Sequence, residues 1–68
     1  MSKQTYTYTT ARKSMQAETG TMTDAQVIAA LEMYDGETLY VDRTGYRTVF
    51  VCQFGYLREV DNYPIREG

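Results

Sequence analysis

The stretch "TMTDAQVIAALEMYDG", residues 21–36, runs directly into "ETLYVDRTGYRTVFVCQFGYLREV", residues 37–60. The first segment has the spacing of a helix and the second that of a β-hairpin. Together they fill more than half of a 68-residue chain, which leaves room for little else. Thr23 followed by Gln26 is a capping box: the threonine hydroxyl accepts from the Gln26 amide, and the Gln26 side chain reaches back. Met22 and Val27 stand at the hydrophobic-staple positions around that cap. Asp24 in the first turn suits the positive end of the helix dipole. Val27, Ala30, Leu31 and Tyr34 recur at helical spacing, with Ile28 widening the stripe. The pattern predicts a helix from about Asp24 to Tyr34, stopped at Asp35-Gly36 with Gly36 as a left-handed cap.

Glu37–Asp42 and Tyr46–Gln53 are rich in β-branched and aromatic residues, the composition of strands. Arg43-Thr44-Gly45 between them reads as a three-residue hairpin loop, with Gly45 at the position of positive φ. That loop sets Asp42 opposite Tyr46 and Leu39 opposite Val49. One face then carries Leu39, Val41, Val49 and Val51, the natural seat of the helix. The other carries Tyr40, Tyr46, Thr48, Phe50 and Cys52. Phe54-Gly55 breaks the run as a second turn or a bulge, and Tyr56–Val60 follows as a third strand. Asp61-Asn62 is turn chemistry and Pro64 cannot donate to a ladder, so residues 61–68 are expected to form an irregular tail.

The first twenty residues say less. Thr5–Thr10 alternates threonine with tyrosine, a strand signal that puts Tyr6 and Tyr8 on one face. Ala11–Glu18 is short and polar, with Met15 as its one large apolar residue. It fits either a short helix ending at Gly20 or a mobile loop. The expected architecture is α+β: a single domain over residues 1–68 in which one amphipathic helix packs on a small antiparallel sheet of three to four strands.

A chain this short buries only about 60% of the surface it exposes when unfolded, so something must add to a thin core. Cys52 is the single cysteine and histidine is absent, which excludes an internal disulfide and leaves zinc without a ligand set. Packing of seven tyrosines and two phenylalanines remains, together with association. Seven basic against nine acidic residues give a net charge of −2, which lacks the basic footprint of a nucleic-acid binder. No stretch has the length of a membrane span, and no apolar core of a signal peptide stands at the N-terminus. A lone cysteine fits a reducing cytoplasm.

The sequence carries no recognisable catalytic set. Without histidine there is no ordinary base at neutral pH. Cys52 lies mid-strand with no cation beside it, which describes a small buried hydrophobe better than a nucleophile. Asp35/Glu37 and Glu59/Asp61 are paired carboxylates in turn-like settings. The acids have no calcium-loop spacing, and the glycines stand singly rather than in a phosphate-binding run. No cofactor is implied. Tyr46, Arg47, Tyr56 and Arg58 interleave rings with cations in the manner of single-strand binders. Neighbouring Asp42, Glu59 and Asp61 cancel their charge.

Tyrosine gives large contact area at low entropy cost and is enriched at protein interfaces. The residues singled out for protein binding are Tyr40, Arg43, Tyr46, Arg47, Phe50 and Tyr56. They point to a non-enzymatic module that acts through a tyrosine-rich sheet face on a larger protein. An accessory or inhibitory factor, of the kind encoded by phages and mobile elements, fits this description. The rivals are a homodimer built on the same face and a small regulator that touches nucleic acid through tyrosine and arginine.

Overall fold

A computed structural model describes residues 5–18 and 22–65. What the sequence predicts for residues 1–4, 19–21 and 66–68 lies outside them. The described chain forms β1 (Thr5–Thr9), β2 (Ser14–Glu18), α1 (Asp24–Leu31), β3 (Thr38–Arg43), β4 (Tyr46–Gln53) and β5 (Tyr56–Pro64). The strands make one antiparallel sheet in the order β2-β1-β3-β4-β5. The α+β reading holds, but the sheet has five strands rather than three or four.

The helix starts where the sequence places it. Gln26 N–H donates to Thr23 Oγ1 at 3.2 Å, and Thr23 N–H donates to Gln26 Oε1 at 2.9 Å. It stops earlier than predicted, at Leu31, because Glu32 turns left-handed with φ 52°. Two bonds close that end: Glu32 N–H to the Ala29 carbonyl at 3.3 Å, and Met33 N–H to the Ile28 carbonyl at 3.0 Å. A non-glycine residue in this conformation needs support. The β1–β2 turn supplies it. Arg12 Nη2 donates to the Glu32 carbonyl at 2.6 Å, and Lys13 Nζ meets the Glu32 carboxylate at 2.7 Å. These cations also complement the negative end of the helix dipole, whose own last turn holds no basic residue.

Three further expectations are corrected. Residues 14–18 form a strand, since β2 pairs along its whole length with β1. Residues 61–64 belong to β5, which bends at a bulge: Phe50 faces Glu59 and Val49 faces Asp61, so Val60 has no partner on β4. The bulge absorbs the turn-forming Asp61-Asn62 without ending the strand. The β3–β4 loop is Thr44-Gly45 alone, with Gly45 at φ +81° and Arg43 opposite Tyr46. One residue fewer in the loop moves the register by one and sends every side chain of β4 to the other face. Phe50 now stands opposite Leu39, and Thr48 opposite Val41.

The core lies between α1 and one face of the sheet. Val27 and Leu31 from the helix meet Leu39 and Val41 from β3, all at most 4% exposed. Tyr6, Tyr8, Met15, Met22, Met33, Phe50 and Leu57 close around them. The alternation in β1 therefore has a plain use. Its tyrosines extend the thin aliphatic core, with ring centroids 6.5 Å apart, and its threonines take the face away from the helix. That open face is largely polar: Thr7 and Thr9 stand opposite Asp42 and Tyr40 of β3, which stand opposite Arg47 and Val49 of β4.

Candidate functional site: an aromatic turn at one end of the sheet

The corrected register divides the six residues expected to form one surface. Tyr40 and Arg47 lie on the open face, with the Arg47 guanidinium 5.4 Å from the Tyr40 ring centre. Arg47 also grips Asp42 with both arms, at 2.6 and 3.0 Å. The hydrogen bond to Asp42, and a second to Tyr63, hold its proton more firmly than usual. This arginine is committed inside the molecule, as is its neighbour on the other face. Arg43 donates through Nη2 to Thr48 Oγ1, and its guanidinium carbon is 5.3 Å from the Tyr6 ring centre. Phe50 joins the helix-side core, and Tyr46 stands half-exposed at the hairpin end on that same side. A continuous Tyr40/Tyr46/Phe50 face does not exist. Tyr56 stands apart at the far end of the sheet, 71% exposed.

That far end carries the aromatic residue the sequence reasoning missed. Phe54-Gly55 is a two-residue turn between Gln53 and Tyr56, with positive φ at both positions, 52° and 80°. Such turns match the twist of a hairpin, and they favour Asn or Asp at the first place because those residues tolerate the left-handed region. Phenylalanine has no such tolerance. Its ring also gains little within the monomer, being 86% exposed. The turn is held in place by its neighbour: Asp35 Oδ1 accepts from Phe54 N–H at 2.7 Å, and Gly36 N–H donates to the Cys52 carbonyl at 2.7 Å. The available signal was Phe-Gly in a turn slot where Asn-Gly is ordinary.

The α1–β3 loop that supports the turn adds a second ring. Tyr34, expected on the helix stripe, falls beyond the helix end and is 61% exposed. The Arg12 guanidinium sits 4.4 Å from its ring centre. Arg12 in turn pairs with Glu37, Nη2 to Oε1 at 3.0 Å and Nε to Oε2 at 3.2 Å. Glu37 also accepts from Tyr34 N–H at 3.2 Å. The hydrogen bond from Arg12 draws the Glu37 carboxyl below its ordinary range. A network of Arg12, Glu32 and Glu37 thus braces the loop under Tyr34 and Asp35, and Asp35 braces the turn under Phe54. The two rings are presented by fixed backbone, which lowers the entropy cost of any contact they make.

The remaining chemistry is subdued. Cys52 is buried at 3% exposure and reduced. Burial pushes its thiol up, and the carboxylates of Asp35 and Glu37 push the same way, which disfavours the nucleophilic thiolate. Among the described residues no group of three His, Cys, Asp or Glu side chains is placed to hold a metal ion, and no helix is long and apolar enough to cross a membrane. A hollow of about 140 Å³ between α1 and the sheet is lined by Tyr6, Tyr8, Val27, Phe50, Leu57 and the Arg43 stem, among others. No protein-family model, curated protein or solved structure matches the chain.

Proposed function

We propose that this chain is a small protein-binding module, an accessory or inhibitory factor that acts by contact rather than catalysis. It seats the Phe54 ring in an apolar pocket on a larger protein, with Tyr34 exposed on the loop that supports the turn. The observation that carries the reading is Phe54 itself. A bulky residue in the left-handed region costs about 1–2 kcal/mol, and a phenyl ring this exposed returns only a small fraction of that to the monomer. A residue unfavourable on both counts makes physical sense as an anchor whose benefit comes when it is buried by a partner. Aromatic anchors of this kind dominate interface energies, each worth about 2 kcal/mol or more when truncated. Asp35 and the Arg12–Glu37 network supply the rigidity such an anchor needs. The proposal keeps the protein-binding role expected from the tyrosines and moves it from the sheet face to the sheet end.

The test is a comparison of folded proteins. The immobilised full chain and its Phe54→Asn variant are exposed to lysate of the source cell, with and without nuclease treatment. Retained proteins are then identified. The reading expects a protein held by the parent and lost from the variant. Identical retention by both chains, or a retained species removed by nuclease, refutes it.

A further inference from the structure

Strand β5 is nine residues long and lies at the outer edge of the sheet. Every residue from Arg58 to Pro64 is exposed. An edge of this length can accept another strand, although two of its N–H groups are held by exposed side chains that an incoming strand would have to displace: Leu57 N–H donates to Asp24 Oδ2 at 3.1 Å and Asn62 N–H to Asp61 Oδ1 at 2.8 Å. Sheets usually blunt such edges with charges and bulges, and β5 has both. Among registers centred on Glu59 and Val60, their arrangement fits one.

Two identical strands that pair antiparallel about a two-fold axis place each residue opposite its mirror position, counted outward from the axis. With the axis at Val60 and a regular strand, Glu59 would oppose Asp61 twice over. With the axis at Glu59, Leu57 would oppose Asp61. The bulge changes the count. Because Val60 has no partner on β4, Glu59 and Val60 together occupy one step of the pleat. Counting outward from that shared step sets Arg58 against Asp61 of the second copy, Leu57 against Asn62, and Tyr56 against Tyr63. Each pair occurs twice.

The faces agree as well. Tyr56, Arg58, Asp61 and Tyr63 stand opposite Gln53, Val51, Val49 and Arg47 of β4, alternate residues that all point away from the helix. Two ion pairs and two tyrosine pairs would therefore form on one surface, where cross-strand neighbours interact most closely. Arg58 has no ion-pair partner among the described residues, so its charge is available. Val60, half-exposed in the monomer, meets its own copy at the axis. Glu59 does so too, which is the one unfavourable contact of the register. The opposite edge, β2, has no such symmetry: about its central Gln16, Ser14 would meet Glu18.

We propose that two copies of this chain pair antiparallel along β5 about the Glu59-Val60 bulge, joining their sheets into one. The two Phe54 turns then lie at opposite ends of the seam, so the dimer presents its aromatic anchor twice.

Charge exchange on the full chain tests this. Sedimentation equilibrium is run on the parent, Arg58→Asp, Asp61→Arg and the double exchange, with circular dichroism confirming that each is folded. The parent is expected to dimerise. Each single reversal turns two attractive pairs into two repulsive ones and should raise the dissociation constant on the order of ten-fold. The double exchange restores both pairs and should return to within a few-fold of the parent. A parent that stays monomeric, a dimer indifferent to the single reversals, or a double exchange as weak as the singles overturns the proposal. The Phe54→Asn variant should dimerise like the parent, so loss of partner capture and loss of the dimer are read separately.

Discussion

Replacing Phe54 by Asn should make the protein more stable, and the size of the gain follows from the turn. Phe54 is 86% exposed, so about one-seventh of its surface is covered in the monomer. Full burial of a phenylalanine side chain is worth about 1.5–3 kcal/mol, so the ring contributes roughly 0.3 kcal/mol where it stands. Against this, its φ of 52° lies in a region that costs an ordinary residue about 1–2 kcal/mol. Asn tolerates that region and is favoured at the first position of such a turn, so about 1 kcal/mol should be recovered. The bond from Asp35 engages the backbone N–H and survives the change. The net expectation is a gain of about 0.7 kcal/mol, or roughly 3–6 °C in the midpoint for a domain of this size. Thermal unfolding followed by circular dichroism reads it. Phe54→Ala removes the ring but keeps a residue that resists left-handed backbone, so its midpoint should stay close to the parent's. If Phe54→Asn instead lowers the midpoint by several degrees, the ring supports the fold, and the argument that it is held out for a partner fails.

Thr23→Ala removes one half of the capping box and should cost about 1 kcal/mol, seen as a lower midpoint; an unchanged midpoint would show that the cap contributes nothing. Gly45→Val should cost about 1–2 kcal/mol in denaturant titration. Because a Cβ there meets no atom within 4 Å, the whole penalty comes from φ +81°, and a similar loss is expected for Gly45→Ala. Glu32 and Glu37 both titrate below their ordinary value of 4.5 in the folded state, through the hydrogen bonds from Lys13 and Arg12. Their contribution is complete above that ordinary value and lost as pH falls through the lowered folded values, so acid should destabilise the parent more steeply than Arg12→Met. Parallel pH profiles for the two proteins would remove the Arg12–Glu37 brace from the account.

The helix start was fully legible because the capping box and staple are local: Met22, Thr23, Gln26 and Val27 decide it among themselves. Its end was not. The sequence offers Gly36 as a natural cap, whereas the chain turns at Glu32 because Arg12 and Lys13, nineteen to twenty residues earlier, hold that turn. Strand β2 was invisible for a similar reason. Ser-Met-Gln-Ala-Glu has little β character of its own and becomes a strand by pairing with β1. The register of β4 failed on a true ambiguity. In Tyr46–Gln53 both alternating sets carry apolar residues, Val49 and Val51 on one side and Phe50 and Cys52 on the other. The pattern alone could not say which set faces the helix, and the loop length that would decide was misjudged by one residue. The candidate site moved with it. What the sequence did offer was Phe-Gly in a turn slot, a local conflict of the kind that accompanies function.

The most direct test of the central claim is site-specific photocrosslinking. A benzophenone side chain is placed at position 54 in one sample and at position 40 in another, and each is irradiated in lysate of the source cell. Position 40 reports on the open sheet face, where Tyr40 stands beside Arg47. A discrete protein adduct is expected from position 54, suppressed by excess unlabelled parent but not by excess Phe54→Asn, with no matching adduct from position 40. An adduct from position 40 alone, or equal suppression by both competitors, would contradict the central claim.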